Sequence, residues 1–176
     1  MLGALKAQDP GERARKSLLI GTKLSGWSAY RTARTVCFFV ALPTEVDTVP
    51  MIERALKEGK RVLVPRVDHL ENKELKLYEI RDLQTDLSPG TMGIREPDPA
   101  RSREAKASEA DCILVPGLAF DRNGRRLGRG AAFYDKFLSS LRPDLPKAGL
   151  AFSFQVFPEI PYESHDRTVD IVITEV

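Results

Sequence analysis

Five short runs of β-branched, aromatic and other apolar side chains constrain the fold more than any other feature: Thr35 to Ala41, Arg61 to Val67, Cys112 to Val115, Gly149 to Phe152 and Val169 to Thr174. The first is unbroken, as in a strand covered on both faces, and such strands belong in parallel sheets. Helical patterns separate them. Asp9-Pro10-Gly11-Glu12 supplies a capping carboxylate, a proline at the first helical position and a glutamate three residues after the cap, predicting a helix to about Leu24. Val49 to Glu58 carries Ile52, Ala55 and Leu56 at helical spacing with Gly59 behind as a stop, and Ala131 to Leu141 places Phe133, Phe137 and Leu141 on one face. The alternation predicts a three-layer α/β/α sandwich with a mainly parallel sheet.

Two stretches depart from this rhythm. Glu74 to Ile80 alternates Leu75 and Leu77 with polar residues, a half-exposed strand near a sheet edge. Arg81 to Ala107 is rich in Pro, Gly and charge and predicts a long excursion of the kind that carries function. Met1 to Gln8 is too short for another element of any length. With 176 residues, one domain spanning 1–176 is expected.

Composition narrows the function classes. Hydrophobic residues make up 42% and charged residues 30%, and 27 basic against 25 acidic side chains leave a net charge of +2, so no global field favours nucleic acid or anionic lipid. The longest apolar run, Val36 to Leu42, is far too short to cross a bilayer, and no signal-peptide pattern precedes it. A cytoplasmic monomer is expected, without nucleic-acid or membrane partners. Cys37 and Cys112 have no CxxC partner or histidine at metal-ligand spacing and read as buried reduced thiols.

The densest chemistry lies between Phe120 and Asp135, which joins a strand to a helix, where α/β sheets place their ligands. Gly128 and Gly130 free the backbone to turn amides toward an anion, while Arg122, Arg125, Arg126 and Arg129 offer planar donors for phosphate or carboxylate. The segment is neither a P-loop nor a dinucleotide fingerprint; its competing reading is a solvated basic turn. Asp135 suits either a divalent cation shared with phosphates or a structural role as a helix-dipole partner or a salt bridge to an arginine, and spacing alone does not separate the two. Tyr134 can stack or donate a hydrogen bond but alone reads as core packing, Asp166 beside His165 is a second metal-facing carboxylate or a turn residue, and Glu45, directly after the first buried strand, lies on the ligand-binding edge of a parallel sheet or serves as a helix cap.

Taken together, Val115-Pro116-Gly117-Leu118-Ala119-Phe120-Asp121, Gly124-Arg125-Arg126-Leu127-Gly128-Arg129-Gly130 and Phe133-Tyr134-Asp135 resemble the 5-formyltetrahydrofolate cyclo-ligase family. Glu45-Val46-Asp47-Thr48, Gly93-Ile94-Arg95-Glu96-Pro97, His165-Asp166 and Val169-Asp170 follow the family's order and spacing. The resemblance implies a fold shared with ribose-phosphate isomerases and coenzyme A transferases, and ATP-dependent, magnesium-assisted closure of 5-formyltetrahydrofolate to 5,10-methenyltetrahydrofolate. It implies that the formyl oxygen attacks the γ-phosphate and that the neighbouring folate nitrogen captures the product.

By the same resemblance, Arg126, Leu127, Gly128, Arg129, Gly130, Ala131, Ala132, Phe133 and Tyr134 form the ATP-binding stretch, with Arg126, Arg129 and Tyr134 catalytic. Val40, Glu45, Met92, Arg129, Gly130 and Phe133 contact the folate, Glu45 through the pterin ring. Met92 stands where relatives can place an aromatic on the folate. Asp135 and Asp166 match magnesium positions. Two departures stand out: a basic helix that usually opens the family's chains is represented only by Lys6, and Ala131-Ala132 replaces a small or basic residue followed by Gly. Rival readings are a sugar-phosphate enzyme of the same fold, which needs no ATP, and a non-catalytic module binding folate, phosphate or RNA.

Overall fold

The computed structural model describes residues 1–130, 132–162 and 167–176, the side chain of Met92 excepted. In chain order, α1 (Leu2–Lys6), α2 (Pro10–Gly26) and α3 (Ser28–Thr32) lead to β1 (Thr35–Cys37), α4 (Val49–Lys57), β2 (Arg61–His69) and β3 (Glu74–Ile80). β4 (Leu87–Pro89), β5 (Arg95–Pro97) and β6 (Arg103–Ala105) follow, then β7 (Cys112–Val115), β8 (Ala119–Asp121) and β9 (Arg126–Leu127). α5 (Phe133–Ser139), β10 (Lys147–Leu150), β11 (Val156–Phe157) and β12 (Ile171–Ile173) follow, and short 3-10 turns lie at Thr91–Gly93, Ala107–Glu109 and Ser153–Gln155.

The main sheet runs β12-β10-β7-β1-β2-β3-β6, with every pair from β12 to β2 parallel and β3 and β6 added antiparallel. Side chains alternate between its faces. Val36, Val62, Val64, Cys112 and Leu114 pack with Leu5, Ile20, Tyr30 and Ile52 from α1 to α4, while Cys37, Leu63, Ile113 and Val115 pack with Phe137 and Leu138 of α5. Two cores on opposite faces make three layers, as the apolar runs predict. Each fully buried side chain contributes about 1.5–3 kcal/mol.

α2 begins as read, with Asp9 Oδ1 accepting from the Glu12 amide at 2.9 Å and Pro10 first in the helix. Several boundaries differ. Met1 to Gln8 does hold an element, α1, because Leu5 is buried against the core. β1 stops at Cys37; beyond it Thr48 takes over the backbone pairing, its hydroxyl donating to Phe39 O at 2.6 Å and accepting from the Ala41 amide at 3.2 Å. α5 runs only from Phe133 to Ser139, β10 lies two residues earlier than read, and β12 is shorter than Val169 to Thr174. The excursion 81–107 is not a plain loop: β4 and β5 form a two-stranded sheet, and β6 takes the sheet edge outside β3. Among the described residues no helix is long and apolar enough to cross a membrane.

That edge is clamped electrostatically. Arg61 and Arg103 each reach both Glu79 and Glu109 at 2.8–2.9 Å, linking β2, β3, β6 and the turn after it. The guanidinium of Arg103, then that of Arg61, then the Lys106 amide hold Glu109 down to about 2 from its ordinary 4.5. Because the folded carboxylate is the weaker proton binder, its stabilisation is present above about pH 4.5 and is lost as pH falls toward about 2.

α5 starts from a strained residue. Ala132, its N-cap, has φ 56° and ψ 10°, a left-handed conformation that crowds an L side chain. This is the position where the resemblance places a glycine.

Two outcomes are expected. Urea unfolding between pH 5 and 2.5 shows stability falling with acid, and Glu109→Gln flattens that decline; an equal slope in both proteins contradicts the clamp. Ala132→Gly raises stability by about 1 kcal/mol in the same assay at neutral pH, and a loss of stability contradicts the strain.

Candidate active site

The C-terminal ends of β1 and β7 open into one cleft, with Phe39 and Val40 leaving one strand and Pro116 and Gly117 the other. Its cavity volume is about 140 Å³. One wall is apolar: Pro65, Val67 and Leu75 come from the β2–β3 hairpin, and Ile94 from the excursion. Lys136 of α5 holds that hairpin, its Nζ donating to Asn72 O at 2.8 Å.

The opposite wall is charged. Arg126 stands on β9, part of a small sheet ordered β11-β8-β9, and its side chain is only 3% exposed. Its Nη2 pairs with Asp135 Oδ1, its Nη1 donates to Pro116 O at 3.2 Å, and its Cζ lies 5.9 Å from the Tyr134 ring centroid. Nε is buried with no partner among the described residues. Glycines make the space: a Cβ on Gly117 would stand 3.2 Å from Arg126 Cγ, and one on Gly128 3.0 Å from Nη1. Gly128 thus serves close approach to a guanidinium, while Gly130, at φ 82°, meets the reading of a freely turning backbone.

Arg129 reaches across the mouth. Its Nε and Nη2 lie 3.1 and 3.0 Å from Glu45 Oε1, while Glu45 Oε2 accepts from the Leu42 amide at 3.0 Å. Glu45 is therefore not a helix cap; Asp47 meets the Val49 amide at the start of α4 instead, at 3.0 Å. Tyr134, partly buried, touches both cores. Burial first, then Cys37 and Glu45, hold its phenol well above the ordinary value against the pull of Arg126, so it is a neutral hydrogen-bond donor at physiological pH.

Val40, Glu45, Arg126, Gly128, Arg129, Ala132, Phe133, Tyr134 and Asp135 thus meet in one cleft, whereas Leu127 and Gly130 are not among its walls. The four-arginine cradle reduces to two. Arg125 turns away to Glu159 at 2.8 Å and Tyr162, and Arg122 borders a separate cavity beside Asp121 and Asp170. Ala131 and Asp166 lie outside the described residues; Met92 has only its backbone described, in a short 3-10 turn.

Sequence reasoning does not single out the hairpin wall or Glu96 as site residues. The alternating leucine of Glu74 to Ile80 is a signal for Leu75; nothing local marks Glu96 as inward-facing. Cys37 and Cys112 are buried unpaired thiols, as read, and burial pushes Cys112 up to about 12.

Asp135 suits a hard divalent cation: it lines the cleft, is a quarter exposed and has one oxygen outside its pair with Arg126, and oxygen ligands shared with phosphates are what magnesium prefers. Asp68, His69 and Glu74 also converge at the hairpin, but Lys76 Nζ already sits 3.2 Å from Asp68.

A family model for 5-formyltetrahydrofolate cyclo-ligases matches residues 1–175. The mouse (Mus musculus) 5-formyltetrahydrofolate cyclo-ligase is 33% identical over 180 residues, covering 97% of this chain and 88% of that protein. The enzyme of that name from Mycolicibacterium smegmatis is 35% identical over 162 residues, covering 92% and 80%. The solved structure of Aquifex aeolicus 5,10-methenyltetrahydrofolate synthetase superposes with a TM-score of 0.86 at 32% identity, covering 99% of this chain and 85% of that one. With the arginine and glycine block built into a cleft at the strand ends, the chain belongs to the 5-formyltetrahydrofolate cyclo-ligase family.

Proposed function

We propose that this chain holds ATP and 5-formyltetrahydrofolate together in the cleft and closes the formyl group onto the neighbouring folate nitrogen, giving 5,10-methenyltetrahydrofolate, ADP and phosphate. The observation that carries this reading is the division of one cleft into an apolar wall of Pro65, Val67 and Leu75 and a charged wall of Arg126 and Arg129. A buried guanidinium is a poor way to stabilise a fold, since desolvation costs several kcal/mol per ion and its carboxylate partner only offsets this. Phosphate binding gives Arg126 a reason to be there.

In the mechanism, the formyl oxygen forms a bond to the γ-phosphorus as the bond to ADP breaks. Arg126 and Arg129 oppose the charge on the transferring group from fixed positions, and the neutral phenol of Tyr134 donates a hydrogen bond at its edge. The apolar wall excludes water from the phosphorylated formyl group. The neighbouring folate nitrogen then bonds to the formyl carbon, its proton departs, and the carbon–oxygen bond breaks to release phosphate. Val40, Phe133, Gly130 and Met92 stay assigned to the folate, Glu45 ties the folate side to Arg129 and accepts from the pterin ring, and Leu127, Gly128, Ala131 and Ala132 complete the nucleotide stretch. Asp135, with Asp166 as expected from the resemblance, would hold magnesium, which when bound neutralises phosphate charge. Two unpaired thiols suit the reducing cytoplasm.

The test is the rise of the methenyl product's near-ultraviolet absorbance with purified protein, 5-formyltetrahydrofolate, ATP and magnesium. The rise requires both ATP and metal, and Arg126→Ala lowers kcat by about 100-fold or more while circular dichroism stays unchanged. Turnover without ATP, or full turnover in the variant, contradicts the proposal.

A further inference from the structure

Glu96 lies on β5, opposite Ser88 of β4, and lines the cleft beside Ile94. Its side chain is 6% exposed, and among the described residues its carboxylate accepts no hydrogen bond. The cation nearest it is Arg66, whose Nη1 stands 3.7 Å away and donates instead to Pro97 O at 3.0 Å. Backbone packs hard against the carboxylate: a Cβ on Gly90 would lie 2.5 Å from Glu96 Cγ, so the absence of a side chain at 90 lets Glu96 sit where it does.

A carboxylate this buried costs free energy unless its oxygens meet donors, and an ion pair at 3.7 Å does not supply them. The contrast with Glu45 is direct. Glu45 already holds Arg129 with one oxygen and the Leu42 amide with the other, so it meets the pterin ring with only part of its acceptor capacity, and yet Glu45 is the more exposed of the two, at 12%. Glu96 brings two acceptor oxygens, free of any hydrogen bond among the described residues, to the apolar side of the cleft.

The chemistry that satisfies such a group is a planar edge with two adjacent N–H donors, matched to two carboxylate oxygens. A pterin presents that edge, with its 2-amino group next to a ring N–H. We propose that Glu96 is a specificity-determining residue that accepts hydrogen bonds from this edge of the folate head group. The inference rests on the folate reading above. It also explains why the long excursion 81–107 folds back on itself, since pairing β4 with β5 carries this carboxylate to the substrate.

The test uses Glu96→Gln, which keeps shape and removes charge. By calorimetric titration and steady-state kinetics, the Kd and KM for 5-formyltetrahydrofolate rise about 10- to 100-fold, while KM for ATP stays the same and kcat changes only a few-fold. The thermal midpoint of the free protein stays the same or rises, because a buried carboxylate that accepts no hydrogen bond among the described residues has been replaced by a neutral amide. A purely structural pairing with Arg66 predicts the reverse, a lower midpoint and an equal loss for both substrates. Glu96→Asp, which keeps the charge on a shorter stem, gives an intermediate Kd. A 2-deamino analogue of the substrate binds wild type and Glu96→Gln alike. If wild type binds 5-formyltetrahydrofolate and Glu96→Gln binds it equally well, the assignment of Glu96 fails and the folate reading stands; if wild type binds no folate, both fail.

Discussion

The site depends on a guanidinium held out of water. Arg126 sits on a two-residue strand that has little reason to form alone, and its partners come from three places: Asp135 and Tyr134 from α5, the Pro116 carbonyl from the end of β7, and close-packed backbone at Gly117 and Gly128. The small sheet that carries it is itself fixed by buried polar groups. Asp121 accepts from the Asn123 and Arg125 amides at 2.9 and 3.0 Å, and the Gln155 amide donates to the Gly117 and Leu118 carbonyls at 2.9 and 3.1 Å. Each of these bonds is worth about 1 kcal/mol, yet together they decide where one charge stands.

The charges of the cleft are arranged in pairs across elements: Arg126 with Asp135, Arg129 with Glu45. An anionic ligand therefore exchanges one pairing for another and gains less than it would from bare cations, which favours discrimination over raw affinity. Asp135 and Glu45 also fix the arginines before any ligand arrives, and preorganised donors need no reorganisation during the chemistry. The apolar wall sits on a hairpin that α5 holds by the Lys136 contact, so the same helix positions both halves of the cleft.

Much of this is legible in the residues. The buried strands and α2 and α4 can be read because their signals are local and repeated: a capping carboxylate with proline behind it, or an unbroken apolar run. The arginine and glycine block points to the junction where Arg126, Gly128, Arg129, Ala132, Phe133, Tyr134 and Asp135 meet Val40 and Glu45 in one cleft. What cannot be read rests on distant partners. β8, β9 and β11 span two or three residues each, too few to show a period, and α1 exists because Leu5 finds the core. Four arginines close together look alike in sequence; only Glu159 and Asp135, farther along the chain, divide Arg125 from Arg126. The strain at Ala132 is foreshadowed by a missing glycine, whereas the inward turn of Glu96 leaves no local trace.

The most direct measurement is a crystal structure with magnesium, a non-hydrolysable ATP analogue and 5-formyltetrahydrofolate bound together. The account predicts terminal phosphate oxygens within hydrogen-bond distance of Arg126 and Arg129, and the folate ring against Val67 and Leu75. A nucleotide seated elsewhere, as in the cavity beside Asp121 and Arg122, with the Arg126 surroundings unchanged, would contradict it.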